Sequence, residues 1–166
     1  MTDFEIRALT VEDWRDYRAL RLAALADAPY AFGSTLAREQ PFEDDRWRQR
    51  LSSGVTLCAF VDSEASGLAG GLRPGVYGDD AHPEAAYLVQ MWVHPSSRGR
   101  GIGAALVERV IEWARAQGYP ELRLTVSEGN DNAERLYTRL GFVRTGDVLP
   151  IRPGETQLEA TMLLRL

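Results

Sequence analysis

Polar and apolar residues alternate with two different periods in the first third of the chain. Residues 4–9 alternate at every second position, which is typical of a half-buried strand. Thr10 then caps a predicted helix that ends at Ala28-Pro29. Apolar residues form the buried face of this helix, namely Trp14, Tyr17, Leu20, Leu22 and Leu25. After an irregular stretch over 30–42, a second helix is predicted over 43–51.

Short apolar runs dominate the rest of the chain. The run at 85–93 follows a loop over 74–83 and is almost continuously apolar, which suits a central strand covered on both faces. Further strands are predicted at 55–61, 67–73, 122–126, 142–148 and 157–166, and further helices at 101–116 and 130–140. Gly118 and Gly141 follow these two helices as stop signals. The order predicts one α+β domain over residues 1–166 with a mixed sheet.

Composition and charge narrow the possible partners. The chain is 45% hydrophobic and 26% charged, and no apolar run approaches the ~20 residues that span a bilayer. Residues 1–7 lack the apolar segment of a signal peptide, so we expect a cytoplasmic protein with no membrane partner. The net charge of −5 argues against nucleic-acid binding. A local excess of arginine at Arg98, Arg100, Arg109 and Arg115 favours a small anionic ligand instead.

Residues that bind metals or act as nucleophiles are scarce. Cys58, the single cysteine, lies in an apolar strand and is interpreted as a small buried hydrophobe. His82 and His94 have no cysteine or carboxylate cluster beside them, so we predict no metal site.

A glycine-rich turn is the most informative segment. The predicted strand ends at Val93, and a helix then opens among Gly99, Gly101 and Gly103. Glycines let the backbone approach a ligand closely, and the first turn of a helix presents unpaired N–H groups to anions. Arg98 and Arg100 add positive charge. This pattern predicts a pyrophosphate site.

Two kinds of protein use such a turn. The spacing Gly99-x-Gly101-x-x-Ala104 formally matches the dinucleotide-binding fingerprint. That fingerprint sits tightly after a strand in a repeated parallel architecture, whereas here five residues separate Val93 from Gly99 and the preceding strands form a meander.

The segment Arg98-x-x-Gly101-x-Gly103, after Val93-His94-Pro95, resembles the acetyl-CoA-binding motif of the GNAT superfamily of N-acetyltransferases. A second segment, Asn130-x-x-Ala133-x-x-Leu136-Tyr137-x-x-x-Gly141-Phe142, is similar to the next motif of that family. Arg21 to Leu25, followed by Ala31-Phe32-Gly33, resembles its acceptor-side segment. The resemblance implies a GNAT-like fold, with about six to seven strands in a mixed sheet and about four flanking helices.

The resemblance also implies how acetyl-CoA is held. Its pyrophosphate would lie on the backbone of Arg98, Gly99, Arg100, Gly101, Ile102 and Gly103. The strand before this loop splays from its neighbour in the family, and the pantetheine arm lies in the gap. Met91 and Val93 are where family members offer backbone groups to that arm, and the Met91 N–H would polarise the thioester carbonyl.

Two residues of the second motif have a local and a functional interpretation. Tyr137 matches the general acid that protonates the departing thiolate, but it also suits the apolar face of a helix. Asn130 matches a CoA contact and is equally a favoured N-cap.

The general base is where the sequence departs from the family. Tyr87 occupies the position at which some members carry a glutamate, so it is assigned to the substrate site instead. Glu84, Glu39, Glu128 or a water chain remain as candidate bases.

Phe32 and Glu39 complete the predicted acceptor site, with Phe42 and Trp47 as further candidates. Trp47 alternatively forms the apolar face of its own helix. An acidic run begins with Glu39 and continues over 43–45, and we hypothesise that it attracts a cationic amine.

These features predict an acetyl-CoA-dependent N-acetyltransferase, with no metal, that acetylates a primary amine of a small molecule, amino acid or peptide in a ternary complex. The alternative is a non-catalytic CoA-binding sensor on the same fold. A homodimer is a further expectation, since many relatives pair through sheet edges or C-terminal strands.

Overall fold

Seven strands form one mixed sheet in the computed structural model, which describes residues 3–76 and 81–166. The strands are β1 (Glu5–Ala8), β2 (Gly54–Val61), β3 (Glu64–Leu72), β4 (Ala85–Val93), β5 (Glu121–Ser127), β6 (Val143–Pro150) and β7 (Leu158–Arg165). Their order is β1-β2-β3-β4-β5-β7-β6, and only the β4–β5 pair is parallel. The predicted mixed sheet is therefore confirmed. Part of the predicted loop over 74–83, residues 77–80, lies outside the described residues.

Five α-helices flank this sheet: α1 (Trp14–Asp27), α2 (Leu36–Glu39), α3 (Asp44–Leu51), α4 (Ile102–Ala116) and α5 (Asp131–Arg139). Thr10 caps a 3-10 turn that leads into α1, and its N–H donates to Asp13 Oδ2 at 2.7 Å. The single turn of α2 lies in a stretch expected to be irregular. No described helix is long and apolar enough to cross a membrane.

The core lies in two layers, one on each face of the sheet. The layer under α4 includes Ile102, Leu106 and Val110, and the layer under α1 includes Tyr17 and Trp47. Trp47 is fully buried and does not line the cleft described below, so its interpretation as a core residue is correct. Cys58 is also fully buried, and burial raises the pKa of its thiol to about 12, as expected of an unreactive core residue.

The central strand β4 changes face partway along its length. Ala86 and Leu88 pack in the layer under α4, and so do Met91 and Val93. Even-numbered residues face α4 before Gln90 and odd-numbered residues face it afterwards. The change occurs because Gln90 adopts a left-handed backbone, with φ of 61°, and the β3–β4 register slips by one residue there. This β-bulge turns the end of β4 and positions the site next to it.

Candidate active site

A cleft opens where β4 and β5 separate. The two strands pair only from Ala85↔Glu121 to Tyr87↔Arg123, and beyond Tyr87 the two strands have no further paired residues. The cleft has a volume of about 1040 Å³ and is lined by both strands, by the start of α4, by α5 and by segments between α1 and α3. The splayed pair of strands implied by the family resemblance is thus present.

The N-terminus of α4 forms one end of this cleft. Gly99 and Gly101 have φ values of 80° and 83°, which only glycine adopts readily. Among the described residues, the amides from Gly99 to Ala104 have no backbone or side-chain acceptor that would compete for them. A Cβ on Gly103 would meet Met91 Cε at 3.0 Å and Leu136 Cδ2 at 3.4 Å. Unpaired amides beside an open backbone surface fit the diphosphate of CoA.

The two arginines of this loop act differently from what the sequence predicted. Arg98 donates from Nε to the Val93 carbonyl at 3.0 Å and from Nη2 to Asp27 Oδ2 at 2.9 Å. Arg100 pairs with Asp3 at 2.9 Å and is not among the cleft-lining residues. Each guanidinium already has a carboxylate partner, so the loop offers an anion mainly backbone N–H groups. Arg98 instead ties the loop to the end of α1.

Asp27, the last residue of α1, is the carboxylate that holds Arg98 and also contacts β4. Its Oδ2 also accepts a hydrogen bond from Trp92 Nε1 at 3.0 Å. The Trp92 hydrogen bond and the Arg98 contact lower the pKa of Asp27, so it stays ionised. The end of α1, the end of β4 and the glycine-rich loop are therefore held together at one carboxylate, a contact between positions 71 residues apart that the sequence alone did not indicate.

Met91 and Val93 lie on the separated part of β4 and both line the cleft. The bulge next to Met91 is anchored, since the Tyr17 hydroxyl donates to Gln90 Oε1 at 2.6 Å. Tyr17 is fully buried, so this hydrogen bond fixes the bulge to α1. Gln90 and Tyr17 were not predicted as site residues, because a β-bulge has no reliable sequence signal in an apolar strand.

Tyr137 and Asn130 line the cleft from α5. Tyr137 is 6% exposed and packs against Phe142, with ring centroids 5.9 Å apart. Burial raises the pKa of its phenol, and the hydroxyl bonds to no side chain within the described parts of the chain. The Asn130 side chain accepts from the Ala133 N–H at 3.4 Å, so the N-cap interpretation is correct. Both residues are positioned to contact a ligand in the cleft.

The acceptor-side predictions have mixed outcomes. Phe32 lines the cleft, and the Arg21 guanidinium lies 5.0 Å from the centroid of its ring. Glu39 also lines the cleft, but it is 2% exposed and ion-paired with Arg21 and Arg50, each at 2.9 Å. Burial raises the pKa of Glu39, but the two arginines outweigh it and hold the pKa at about 2. Glu39 is therefore a buried structural anion and an unsuitable base.

Tyr87 lies in the last β4–β5 pair before the strands separate, opposite Leu72 on β3. It is not among the described residues that line the cleft, whose β4 lining begins one residue later, at Leu88. Its assignment to the substrate site stays a prediction.

The expected acidic rim is wrong. Residues 43–45 are exposed at the start of α3 and do not line the cleft, which suits their role in stabilising the helix N-terminus. The face that α3 turns to the cleft carries residues three or four positions apart, namely Arg46, Gln49 and Arg50, and Ser53 follows just after the helix. Together with Arg38, this side of the cleft is basic.

Two other candidate bases are occupied elsewhere. Glu128 pairs with Arg144 at 2.9 Å and does not line the cleft. Glu84 Oε1 lies 3.4 Å from His82 Nδ1, also outside the cleft. Possible metal-ligand atoms of His82, Glu84 and Glu121 lie within 4.8 Å of one another. The sequence predicts no carboxylates beside either histidine, and this prediction is wrong for His82. Exposed acidic groups close to a histidine are common without a metal.

Glu159 is the cleft-lining carboxylate that the sequence reasoning missed. It lies on β7, where polar residues alternate with the buried Ala160 and Met162, and this alternation was the available signal.

Comparisons with known proteins agree with this geometry. Residues 9–142 match the model of the acetyltransferase (GNAT) family, and the chain belongs to that family. The fold is similar to that of a GNAT-family acetyltransferase from Streptococcus pneumoniae, with 23% identity, a TM-score of 0.78, and coverage of 98% of this chain and 99% of that one. The predicted family, and with it acetyl-CoA as the donor, is confirmed.

Two further solved structures share the fold. One is yncA, a putative acetyltransferase from Salmonella typhimurium described with its cofactor acetyl-CoA, with 21% identity, a TM-score of 0.78 and coverage of 99% and 95% of the two chains. The other is a ribosomal-protein-alanine N-acetyltransferase from Brucella melitensis, with 23% identity, a TM-score of 0.76 and coverage of 98% and 99%.

Proposed function

We propose that this protein transfers the acetyl group of acetyl-CoA to a primary amine of a small molecule, amino acid or peptide, by direct attack in a ternary complex. The observation that carries this proposal is the cleft between β4 and β5, which opens at one end onto the free amides of α4 and is lined by Tyr137. A thioester that follows the unpaired edge of β4 is accessible to an amine from the side of α1 and α3.

Different residues of the cleft bind the donor, polarise its carbonyl and protonate the leaving thiolate in this proposal. The amides from Gly99 to Ala104 bind the diphosphate, and the unpaired edge of β4 aligns the pantetheine arm. The Met91 N–H polarises the thioester carbonyl. Tyr137 keeps its proton because burial raises the pKa of its phenol, so it is available to protonate the departing thiolate.

Thiol release tests the proposal directly. Acetyl-CoA is incubated with the protein and a panel of glycine, L-phenylalanine, tyramine and a short peptide with a free N-terminus, and free CoA thiol is followed. All 19 basic residues are arginine, so acetylation of the protein's own lysines cannot contribute. Release above the no-amine control supports transfer. Binding of CoA by calorimetry without release, across a widened panel, would identify the non-catalytic CoA-binding module instead.

The predicted homodimer and the cytoplasmic location stay predictions. The edge strand β6 is exposed along its whole length, and its apolar Val143 and Leu149 are 62% and 61% exposed beside the polar Arg144 and Asp147. Its unpaired edge and these two apolar side chains support self-association. Light scattering across a protein concentration series tests it.

A further inference from the structure

Two carboxylates line the cleft within the described part of the chain, Glu39 and Glu159. Glu39 accepts hydrogen bonds from two guanidinium groups, and its pKa is held at about 2, so it cannot take a proton at neutral pH. Glu159 forms no ion pair with any other described residue. The charge of Arg152 affects it, but Arg152 is bonded to Glu155 at 2.7 Å.

The alternation of β7 sets the direction of the Glu159 side chain. Ala160 and Met162 pack in the layer under α4, so Glu159 lies on the opposite face of the sheet. That is the face covered by α1 and by the 3-10 turn Pro29–Ala31, from which an acceptor enters. Glu159 pairs across the ladder with Ser127, and the Thr125 hydroxyl on the same strand as Ser127 lies near enough to stabilise its carboxylate.

The separated part of β5 connects this carboxylate to the cleft. The last β4–β5 pair is Tyr87↔Arg123, so Thr125 and Ser127 lie on the part of β5 that has separated from β4. Glu159 is paired with Ser127 across the β5–β7 ladder, and the nearby Thr125 hydroxyl stabilises its carboxylate. All three residues line the cleft, as does Met91 on β4.

From this geometry we infer that Glu159 is the general base that takes the proton from the acceptor amine. The inference rests on the proposed function. An ammonium ion cannot attack, so one proton passes from the amine to Glu159. The neutral nitrogen then forms the N–C bond to the acetyl carbon and the C–S bond breaks. Tyr137 protonates the thiolate and regains a proton from the nitrogen, and Glu159 releases its proton to water.

The surroundings of Glu159 suit this task. Burial raises the pKa of its half-buried carboxyl, and the Thr125 hydroxyl and the charge of Arg152 oppose that rise in part. A raised pKa makes a carboxylate a stronger base. Other titratable groups lie on the elements around it. They are Glu121 and Arg123 on β5, Arg144 and Asp147 on β6, Arg165 on β7, Arg152 and Glu155 in the preceding loop, Tyr30 on the turn Pro29–Ala31 and Glu128 after β5. Glu121 is paired with Arg123, Glu128 with Arg144, and Glu155 with Arg152.

The test compares E159Q and E159D with E108Q, a control that removes an exposed carboxylate of α4 outside the cleft. With the best amine of the panel, we expect E159Q to lower kcat/KM at pH 7 by roughly 10²–10³. The loss should shrink as the pH approaches the pKa of the amine, because solvent then supplies the neutral nucleophile. E159D should recover part of the activity, and CoA affinity and the melting temperature should change little in every variant.

Three results separate the possible failures. If the wild-type protein is active and E159Q is equally active, or is slower by the same factor at every pH, the role of Glu159 is overturned. The proposed function is then left intact. A weaker CoA affinity in E159Q that accounts for the whole loss also overturns that role. Absence of thiol release by the wild-type protein with every amine overturns the proposed function and this inference with it.

Discussion

Gly103, in the first turn of α4, lies directly against Met91 on β4: a Cβ at position 103 would come within 3.0 Å of Met91 Cε. This contact brings the first turn of α4 next to the unpaired edge of β4, where the proposed function places the diphosphate and the thioester. Gly103 has an ordinary helical backbone, so alanine there improves helix propensity by about 1 kcal/mol and costs no backbone strain.

We therefore expect G103A to keep its melting temperature and lose affinity for CoA by roughly tenfold, because the methyl group occupies space between Met91 and Leu136 in the cleft. Calorimetric titration with CoA, beside a thermal melt, measures both quantities. G103V should lose more affinity. Equal CoA affinity in all three proteins would show that the ligand does not pass between these side chains.

The two ends of α4 provide a matched pair of glycines. Gly101 and Gly118 have φ values of 83° and 82°, and neither would place a Cβ within 4 Å of another atom. Alanine costs about 1–2 kcal/mol of backbone strain at either position. Both variants should therefore melt a few degrees lower by similar amounts, but only G101A should bind CoA more weakly, since only Gly101 borders the cleft. Similar CoA affinities in the two variants would argue against the α4 N-terminus as the diphosphate site.

Tyr137 offers a test of the acid role. Burial raises the pKa of its phenol above the usual value, so the residue is protonated throughout the neutral range and its own ionisation should not shape the pH profile below the ordinary tyrosine pKa of about 10. We expect Y137F to lower kcat by roughly 10²–10³ with little change in CoA affinity. Steady-state rates from pH 6 to 9, with CoA titrations, check this. Unchanged turnover would remove Tyr137 from the mechanism and leave its packing against Phe142 as its role.

The local structure of the proposed donor half was predictable because its parts are contiguous in the sequence. The glycines from 99 to 103 define their own backbone geometry, and Asn130 caps the helix that carries Tyr137 seven residues later. Helical and strand periodicity likewise identified every strand and the longer helices. The single turn of α2 was not predicted, because four residues are too few to show a helical period.

The acceptor half was not predictable because it depends on contacts between distant segments. Glu39 was interpreted as an acceptor-site acid that attracts a cationic amine, but folding brings Arg21 and Arg50 onto it from two other helices. Arg46 and Arg50 face the cleft because of the rotation of α3, which the acidic start of that helix did not reveal. The bulge at Gln90 and the position of Glu159 depend on strand register, which a single sequence does not specify.

The buried triad of Arg21, Glu39 and Arg50 makes the strongest prediction about stability. E39Q would leave two guanidinium groups without their shared anion, and breaking a buried ion pair in this way costs about 3–5 kcal/mol. E43Q, an exposed change at the N-cap of α3, should leave the melting temperature nearly unchanged.

The free energy of unfolding should depend on pH through the same Glu39 ion pairs. The pKa of Glu39 is lowered from 4.5 to about 2 on folding, so its stabilising contribution is complete above pH 4.5 and is lost as the pH falls from 4.5 towards 2. Urea denaturation of the wild type and E39Q at pH 7 and at pH 3 measures this. The stability difference between the two proteins should be largest at pH 7 and smaller at pH 3, since acid removes in the wild type what the substitution has already removed. A difference that stays constant with pH would mean that packing of the glutamate side chain, and not its charge, stabilises the region between α1, α2 and α3.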